Sequence, residues 1–315
     1  MMKLVVQIPC LNEEKTLPLV LESIPRKIAG IDEIIILVID DGSTDKTVEV
    51  ARAHGVKHFV KHARNQGLGR SFHDGVQKAL ELGADIVVNT DGDNQYPQGR
   101  IGDLVQPIVE GRADIVIADR QTHKIAHFSP FKKFLQRLGS KVVNIAAGTE
   151  LPDAVSGFRA YSRESLIRLN TITRFSYCTE TIIQAGNKGL KIDSIPVETN
   201  PKLRESRLFN STFEHVRKSA GVIIRAYVMY KPYIVFGWAG GALLLAGLVP
   251  FLRFVYFAID EGSSRGHLQS LLLGSTLLTG AFLCLVLSVI AELLRINRVL
   301  IEDNLEQTKR QRFHR

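Results

Sequence analysis

Two stretches without a formal charge, residues 232–252 (PYIVFGWAGGALLLAGLVPFL) and 266–291 (GHLQSLLLGSTLLTGAFLCLVLSVIA), restrict what this chain can become. About 20 apolar residues carry a helix across the hydrocarbon layer, and each run reaches that length. The alternative, a pair of buried core helices, sits badly with runs this long. The expectation is therefore a hairpin of two membrane spans, about 232–252 and 267–291. Arg217, Lys218, Arg225 and Lys231 precede the first run, and Arg295, Arg298, Lys309, Arg310, Arg312 and Arg315 follow the second. Only Arg253 and Arg265, offset by Asp260 and Glu261, lie between them. Basic flanks stay on the cytoplasmic side, which predicts an integral, two-span protein with both termini and everything before residue 232 in the cytoplasm.

Upstream of the hairpin the composition is that of a soluble domain. The formal net charge of the whole chain is +8, which suits anionic head groups and phosphorylated substrates. No zinc-finger, stacking-module or helix-turn-helix pattern accompanies it, so a nucleic-acid partner is not expected. Cys10, Cys178 and Cys284 show no paired spacing, which argues for a reducing compartment and against structural zinc or a disulfide framework. The opening MMKLVVQIPCLNEE meets charge too soon to read as a secretory signal.

Four short apolar runs, residues 4–9, 34–40, 85–91 and 114–120, read as buried strands. Between them EKTLPLVLESIPRKI, STDKTVEVARAHG and GLGRSFHDGVQKALELG carry helical patterns, the second with Ser43 or Thr44 as its expected cap. Continuous apolar strands separated by helices predict an α/β fold with a mainly parallel sheet covered on both faces. In such sheets ligands gather at the carboxyl ends of the strands. PCLNEE, DDGSTD, DGDNQ and DRQTHK each follow one of the four runs, and their coincidence defines a candidate site.

Within DGDNQYP, an extended chain would put Asp91, Asp93 and Gln95 on one side. Three hard oxygen donors suit magnesium or manganese carrying a diphosphate, whereas zinc would want imidazole or thiolate. A capped turn is the other reading of Asp-Gly-Asp. Asp40 and Asp41 before Gly42-Ser43 suit ribose or base hydrogen bonds, or simply a tight turn. Neither GxGxxG nor GxxxxGK[ST] occurs, which excludes the usual dinucleotide and phosphate-loop sites. Two amphipathic segments remain. Residues 128–145 place Lys132, Lys133, Arg137 and Lys141 around an apolar stripe, and residues 206–230 place bases just before the first span. Each reads as a sheet-facing helix or as a helix lying at the membrane surface.

Taken in order, PCLNEE, IDDGSTDKT, RNQGLGR, DGDNQYP, Asp119-Arg120 and DAVSGFRAY resemble the serial motifs of the family 2 glycosyltransferases, in the branch similar to dolichyl- and polyprenyl-phosphate sugar synthases with two C-terminal spans. The resemblance implies a GT-A nucleotide-sugar-binding domain. It divides the chain into a catalytic domain (1–205), an amphipathic juxtamembrane segment (206–231), a transmembrane hairpin (232–291) and a basic tail (292–315). It implies a nucleotide cradle of Pro9, Leu11, Glu13, Ile39 and Asp41, joined by Asp91, Gly92 and Asp93, and a Mg²⁺ or Mn²⁺ held by Asp91, Asp93 and Gln95. Arg120 matches an arginine near the donor sugar or phosphate, and Asp153 the position usually proposed as catalytic. Arg204 matches a later phosphate-binding arginine, a role that Arg207 shares or takes because Glu205 and Ser206 replace a frequent glycine. Lys132, Lys133 and Arg137 are the expected contacts of the lipid phosphate.

The implied reaction is inverting transfer of a sugar from a UDP- or GDP-linked donor to a polyprenyl monophosphate at the bilayer. With its second ionisation near ~6, such an acceptor is already anionic and hardly needs a strong base. A processive polysaccharide synthase would share the early motifs but usually carries QxxRW, and the one tryptophan, Trp238, lies inside the first span. A non-catalytic membrane scaffold is the reading outside the enzymes. Gly237, Gly240, Gly241 and Gly247 allow close helix approach, and the resemblance implies a homo-oligomer, a tetramer being the family's example.

Overall fold

The computed structural model describes residues 1–121, 130–171, 177–201, 221, 228, 230–260 and 268–313. Arg204 and Arg207 lie outside the described residues, as does most of the amphipathic segment 206–230. The chain forms two compact units, Met1–Ala220 together with Glu302–Arg315, and Gly221–Ile301.

Among the described residues the first unit is built on a seven-stranded sheet. In chain order its strands are β1 (Lys3–Cys10), β2 (Glu33–Asp40), β3 (His58–Lys61), β4 (Ile86–Asn89), β5 (Ile115–Asp119), β6 (Arg159–Ser162) and β7 (Ile192–Pro196). Their order across the sheet is β3-β2-β1-β4-β6-β5-β7. Every pairing is parallel except the two made by β6, which runs antiparallel to both β4 and β5. The mainly parallel sheet expected from the apolar runs is therefore present. The short strands β3, β6 and β7 complete it.

Both faces are covered, which is why β1 and β2 read as apolar runs, interrupted in β1 only by Gln7. Leu4, Val6, Ile8 and Cys10 of β1 face a core with Leu17, Val20 and Leu21 of helix α1 (Leu17–Ser23) and Ile101, Leu104 and Val105 of α4 (Ile101–Val109). On the opposite face, Gln7 and Ile39 lie under Gly75 of α3 (Leu68–Glu81). There Phe72 of α3 stacks on Tyr177 of α7 (Tyr177–Asn187), ring centroids 4.0 Å apart.

Local chemistry trims two of the expected helices. α1 starts beside Pro18, where a missing N–H costs nothing, and stops at Ile24, held extended by the following proline. Helix α2 (Thr47–Ala53) starts later than expected, with Lys46 rather than Ser43 or Thr44 at its cap position. Ser43 and Thr44 bond to Asn12 instead.

Helix α5 (Pro130–Ala147) carries Lys132 and Lys133 in its first turns, and Arg137 on it is exposed. The second unit contains α8 (Pro232–Asp260) and α9 (Leu268–Arg312) as far as Ile301, both helices long and apolar enough to cross a membrane and almost wholly exposed along their apolar windows. Gly240 and Gly247 are spent inside this hairpin: a Cβ on Gly247 would stand 2.9 Å from Leu277 Cβ, and one on Gly240 3.2 Å from Cys284 Cβ.

The last turns of α9 belong to the first unit. Lys309 Nζ donates to the carbonyls of Leu169 (2.6 Å) and Leu166 (3.3 Å), capping helix α6 (Arg163–Arg168). Arg312 pairs with Glu81 (2.8 Å), Lys188 with Glu302 (3.4 Å), and Arg310 with Glu164. Phe313 is buried, and Arg163 donates to its carbonyl. Exposed ion pairs contribute little singly. The buried ring, the capped helix end and the largely buried Lys188–Glu302 pair hold this segment.

Candidate active site

All the parallel strands present their carboxyl ends along one edge of the sheet, and the loops leaving β1, β2, β4 and β5 meet there. The antiparallel β6 contributes its amino end to that same edge. This brings the preceding loop, Asp153–Phe158, to the site.

The first two loops are laced together. Asn12, in the left-handed region at φ 57°, receives the Thr44 N–H on Oδ1 (2.7 Å) and donates its own N–H to Ser43 Oγ (2.9 Å). The Glu13 N–H donates to Thr47 Oγ1 (2.8 Å). Asp40 Oδ1 accepts from Ser43 N (3.0 Å). Asp41 is fully engaged: Oδ1 meets His62 Nδ1 (2.7 Å) and Gln66 N (2.8 Å), and Oδ2 meets Gly67 N (2.9 Å). Asp41 thus shapes the cradle by pinning the 62–67 loop. His62 reaches on to Asp74 (3.2 Å), which Arg70 pairs (2.8 Å).

Gly42 permits this closure. Its φ is +81°, and a Cβ there would lie 2.7 Å from the Arg64 carbonyl carbon. Gly42→Ala is expected to destabilise the protein by about 1–3 kcal/mol and to weaken sugar-nucleotide binding. Thermal denaturation and calorimetry on the variant check both, and an unchanged melt would contradict the close approach.

After β4 the chain turns at once. Asn94 is left-handed (φ 59°), so the extended alternation that put Gln95 beside both aspartates does not occur. Gln95 instead donates to Asp93, from its backbone N–H to Oδ1 (3.1 Å) and from Nε2 to Oδ2 (2.5 Å). It presents an N–H, rather than a carbonyl oxygen, to that carboxylate. Gly92 packs tightly between them: a Cβ would meet Cys10 Sγ at 3.0 Å and Glu13 Cγ at 3.3 Å. Thr16 Oγ1 donates to Glu13 (2.7 Å) and to the Gly92 carbonyl (2.8 Å).

Among the described residues no three His, Cys, Asp or Glu side chains converge on one point. Asp91 and Asp93 offer the hard carboxylate oxygens that a divalent cation such as magnesium would take. The field around them is negative. Burial pushes the Cys10 thiol well above its ordinary value, and Glu13, Asp40, Asp91 and Asp45 push it further.

Arg120 and Asp153, expected in separate roles, form one pair. Arg120 Nε lies 2.7 Å from Asp153 Oδ2 and Nη2 3.0 Å from Oδ1. The carboxylate side chain is only 2% exposed. Burial alone would raise its pKa, but the Arg120 charge and hydrogen bonds from Arg120 and Val155 hold it below the usual carboxylate range. Its contribution to stability is therefore present above the unfolded value, ~3.9, and is lost as pH falls through the lower folded value. Asp153→Asn is expected to cost about 3 kcal/mol at neutral pH by stranding Arg120. Melting curves should show that difference shrinking only below about pH 4, and a difference already fading near pH 6 would contradict the pairing.

Beneath these loops lies a buried polar chain absent from the sequence expectations. Gln7 Nε2 donates to Asn89 Oδ1 (3.0 Å), Asn89 Nδ2 to Tyr177 Oη (2.6 Å) and to the Gly157 carbonyl (3.1 Å), and Gly157 N to Tyr96 Oη (3.1 Å). Burial raises the Tyr96 pKa to about 12, so its hydroxyl stays protonated.

An open sheet with acid-bearing turns at the carboxyl ends of its parallel strands defines, with the comparisons below, a GT-A type glycosyltransferase domain. The chain belongs to glycosyl transferase family 2, whose sequence profile matches residues 5–169. It is 30% identical over 213 residues to the UDP-N-acetylglucosamine–dolichyl-phosphate N-acetylglucosaminyltransferase of Methanococcus voltae, covering 61% of this chain and 83% of that protein. It is 27% identical over 218 residues to the undecaprenyl-phosphate mannosyltransferase of Micrococcus luteus, covering 66% of this chain and 88% of that protein. The fold is shared with glucosyl-3-phosphoglycerate synthase from Mycobacterium tuberculosis, solved with Mn²⁺, UDP and glucosyl-3-phosphoglycerate. That likeness has a TM-score of 0.54 and 22% identity over 72% of this chain and 79% of the other. The protein is a glycosyltransferase.

Proposed function

We propose that this protein transfers a sugar, with inversion, from a UDP- or GDP-linked donor to a polyprenyl monophosphate at the cytoplasmic face of a membrane, assisted by Mg²⁺ or Mn²⁺. The observation that carries the reading is the union of two features in one chain. An acid-lined site stands beside a buried Arg120–Asp153 pair, and two exposed apolar helices are long enough to span a bilayer. The named activities of the Methanococcus and Micrococcus relatives point to the same acceptor class.

Asp91 and Asp93 would hold the cation, which when bound neutralises charge on the departing diphosphate. Pro9, Leu11 and Glu13 would line the nucleotide side of the cradle, Ile39, fully buried beneath α3, would support it from within the core, and Asp41 fixes the loop that closes it. Arg120 offers positive charge toward the donor phosphate or sugar. Asp153, kept ionised by Arg120, orients the acceptor rather than serving as a strong base, since a phosphomonoester is already anionic. Lys132, Lys133 and Arg137 of α5 would meet the acceptor phosphate, and the later Arg204, its role shared or taken by Arg207, would bind phosphate at the transfer site. A homo-oligomer, with a tetramer as the first state to test, belongs to the same proposal.

The test is a donor panel. Detergent-solubilised protein is given polyprenyl phosphate and single UDP- or GDP-sugars, and the lipid fraction is weighed by mass spectrometry. One donor should yield a lipid-phosphate-sugar mass. Sugar transfer confined to water-soluble phosphorylated acids would overturn the acceptor assignment.

A further inference from the structure

Arg159 opens β6 with its side chain fully buried, yet among the described residues it faces no carboxylate. Its donors go to carbonyl and hydroxyl oxygens: Nε to Ser156 (2.6 Å), Nη2 to Ala154 (3.0 Å), and Nη1 to Cys178 (2.9 Å) and to Thr181 Oγ1 (3.0 Å). A guanidinium taken from water without an anion is costly, and an apolar side chain would fill the place more cheaply.

What the grip achieves follows from the planarity of the trans peptide, in which C=O and the next N–H point in opposite directions. With the Ala154 carbonyl drawn onto Arg159, the Val155 N–H faces the other way and donates to the Asp153 carboxylate. With the Ser156 carbonyl drawn down, the Gly157 N–H meets Tyr96 Oη (3.1 Å). Gly157 lies against the acid turn, where a Cβ would stand 3.5 Å from Asp91 Oδ2.

We propose that Arg159 is a positioning residue for sugar transfer. From beneath the 153–157 loop it sets the two peptide planes that hold Asp153 and Arg120 at one end and the neighbour of Asp91 at the other. This rests on the reading of Arg120 and Asp153 as groups of the transfer site. Arg159 touches no reacting atom and acts through the loop.

The experiment uses the full-length protein in detergent with Arg159→Lys and Thr181→Val. The first keeps the charge but cannot bridge these oxygens; the second removes one of them. Amide exchange at Val155 and Gly157 should quicken by about tenfold or more in Arg159→Lys, while the amides of β1 and β2 keep wild-type protection. In the same variant kcat should fall by about 30-fold with the KM for sugar nucleotide within about twofold. Thr181→Val should move both readouts the same way by about threefold. Quickened exchange with unchanged kcat would make Arg159 merely structural, and unchanged exchange would show that the grip is dispensable; either overturns the proposal. If Arg159→Lys does not fold, Thr181→Val decides by the same two readouts. If the unmodified protein moves no sugar to polyprenyl phosphate, the functional reading falls, and exchange at Val155 and Gly157 alone then decides whether Arg159 sets the loop.

Discussion

Asp93→Asn is expected to lower turnover by at least ~100-fold, about 3 kcal/mol of barrier, with little change in melting temperature. The substitution keeps the shape of the side chain and an oxygen for the Gln95 backbone N–H. It removes the charge and places a donor opposite Gln95 Nε2, where Oδ2 now accepts. The amide must turn, which costs far less than losing an anionic ligand to a divalent cation. A chelator should silence the unmodified protein for the same reason. Near-normal turnover by the variant at limiting manganese would remove Asp93 from the metal assignment.

A chain ending at residue 231 is expected to be markedly less stable than one that also carries residues 302–315. The sequence motifs all lie upstream of the hairpin, so by that reading alone the shortened chain should keep its donor site intact. The structure changes the expectation. Truncation removes the buried Phe313 and leaves the Leu166 and Leu169 carbonyls at the end of α6 without the Lys309 cap. Burying one aromatic ring contributes about 1.5–3 kcal/mol, and a helix-end interaction about 0.3–1 kcal/mol more. At roughly 2–4 °C per kcal/mol for a domain of this size, the melt should fall by about 5–15 °C. Restoring 302–315 through a flexible linker in place of the hairpin should recover stability and sugar-nucleotide binding. Transfer to a long polyprenyl phosphate in vesicles should still collapse, because the effective concentration of acceptor is lost. A short soluble isoprenyl phosphate should rescue part of it. Equal melting temperatures with and without 302–315 would show that the docked segment contributes nothing to the fold.

The long elements were legible because one physical signal dominated each. β1 is buried along nearly its whole length and β2 over its second half, both read as largely apolar runs, and α3 shows its buried stripe from Phe72 to Leu80. The strands that escaped are short and carry polar residues: HFVK, RAYS and IDSIP have no run to read. Antiparallel β6 matters most, since it delivers Asp153 and Gly157 to the site through pairings no local pattern announces. The acids of the site were visible at strand ends, but their partners were not. Asp41 meets His62 and the Gln66 and Gly67 amides, and Asp153 meets Arg120 from 33 residues away. The geometry of DGDNQ departed from extended alternation because Asn94 adopts a left-handed turn. Residues 302–313 read as a solvated basic run because Lys309, Arg310 and Arg312 hide the one aromatic that docks.

The most direct measurement follows a labelled sugar. The full-length protein is reconstituted in vesicles holding a polyprenyl monophosphate and supplied with its sugar nucleotide and manganese, and label is partitioned between butanol and water. Label should enter butanol as a single lipid-phosphate-sugar, stop with chelator and resume when manganese returns. Label that stays in water, enters a polymer, or moves to butanol undiminished under chelation would contradict metal-assisted transfer to a lipid phosphate.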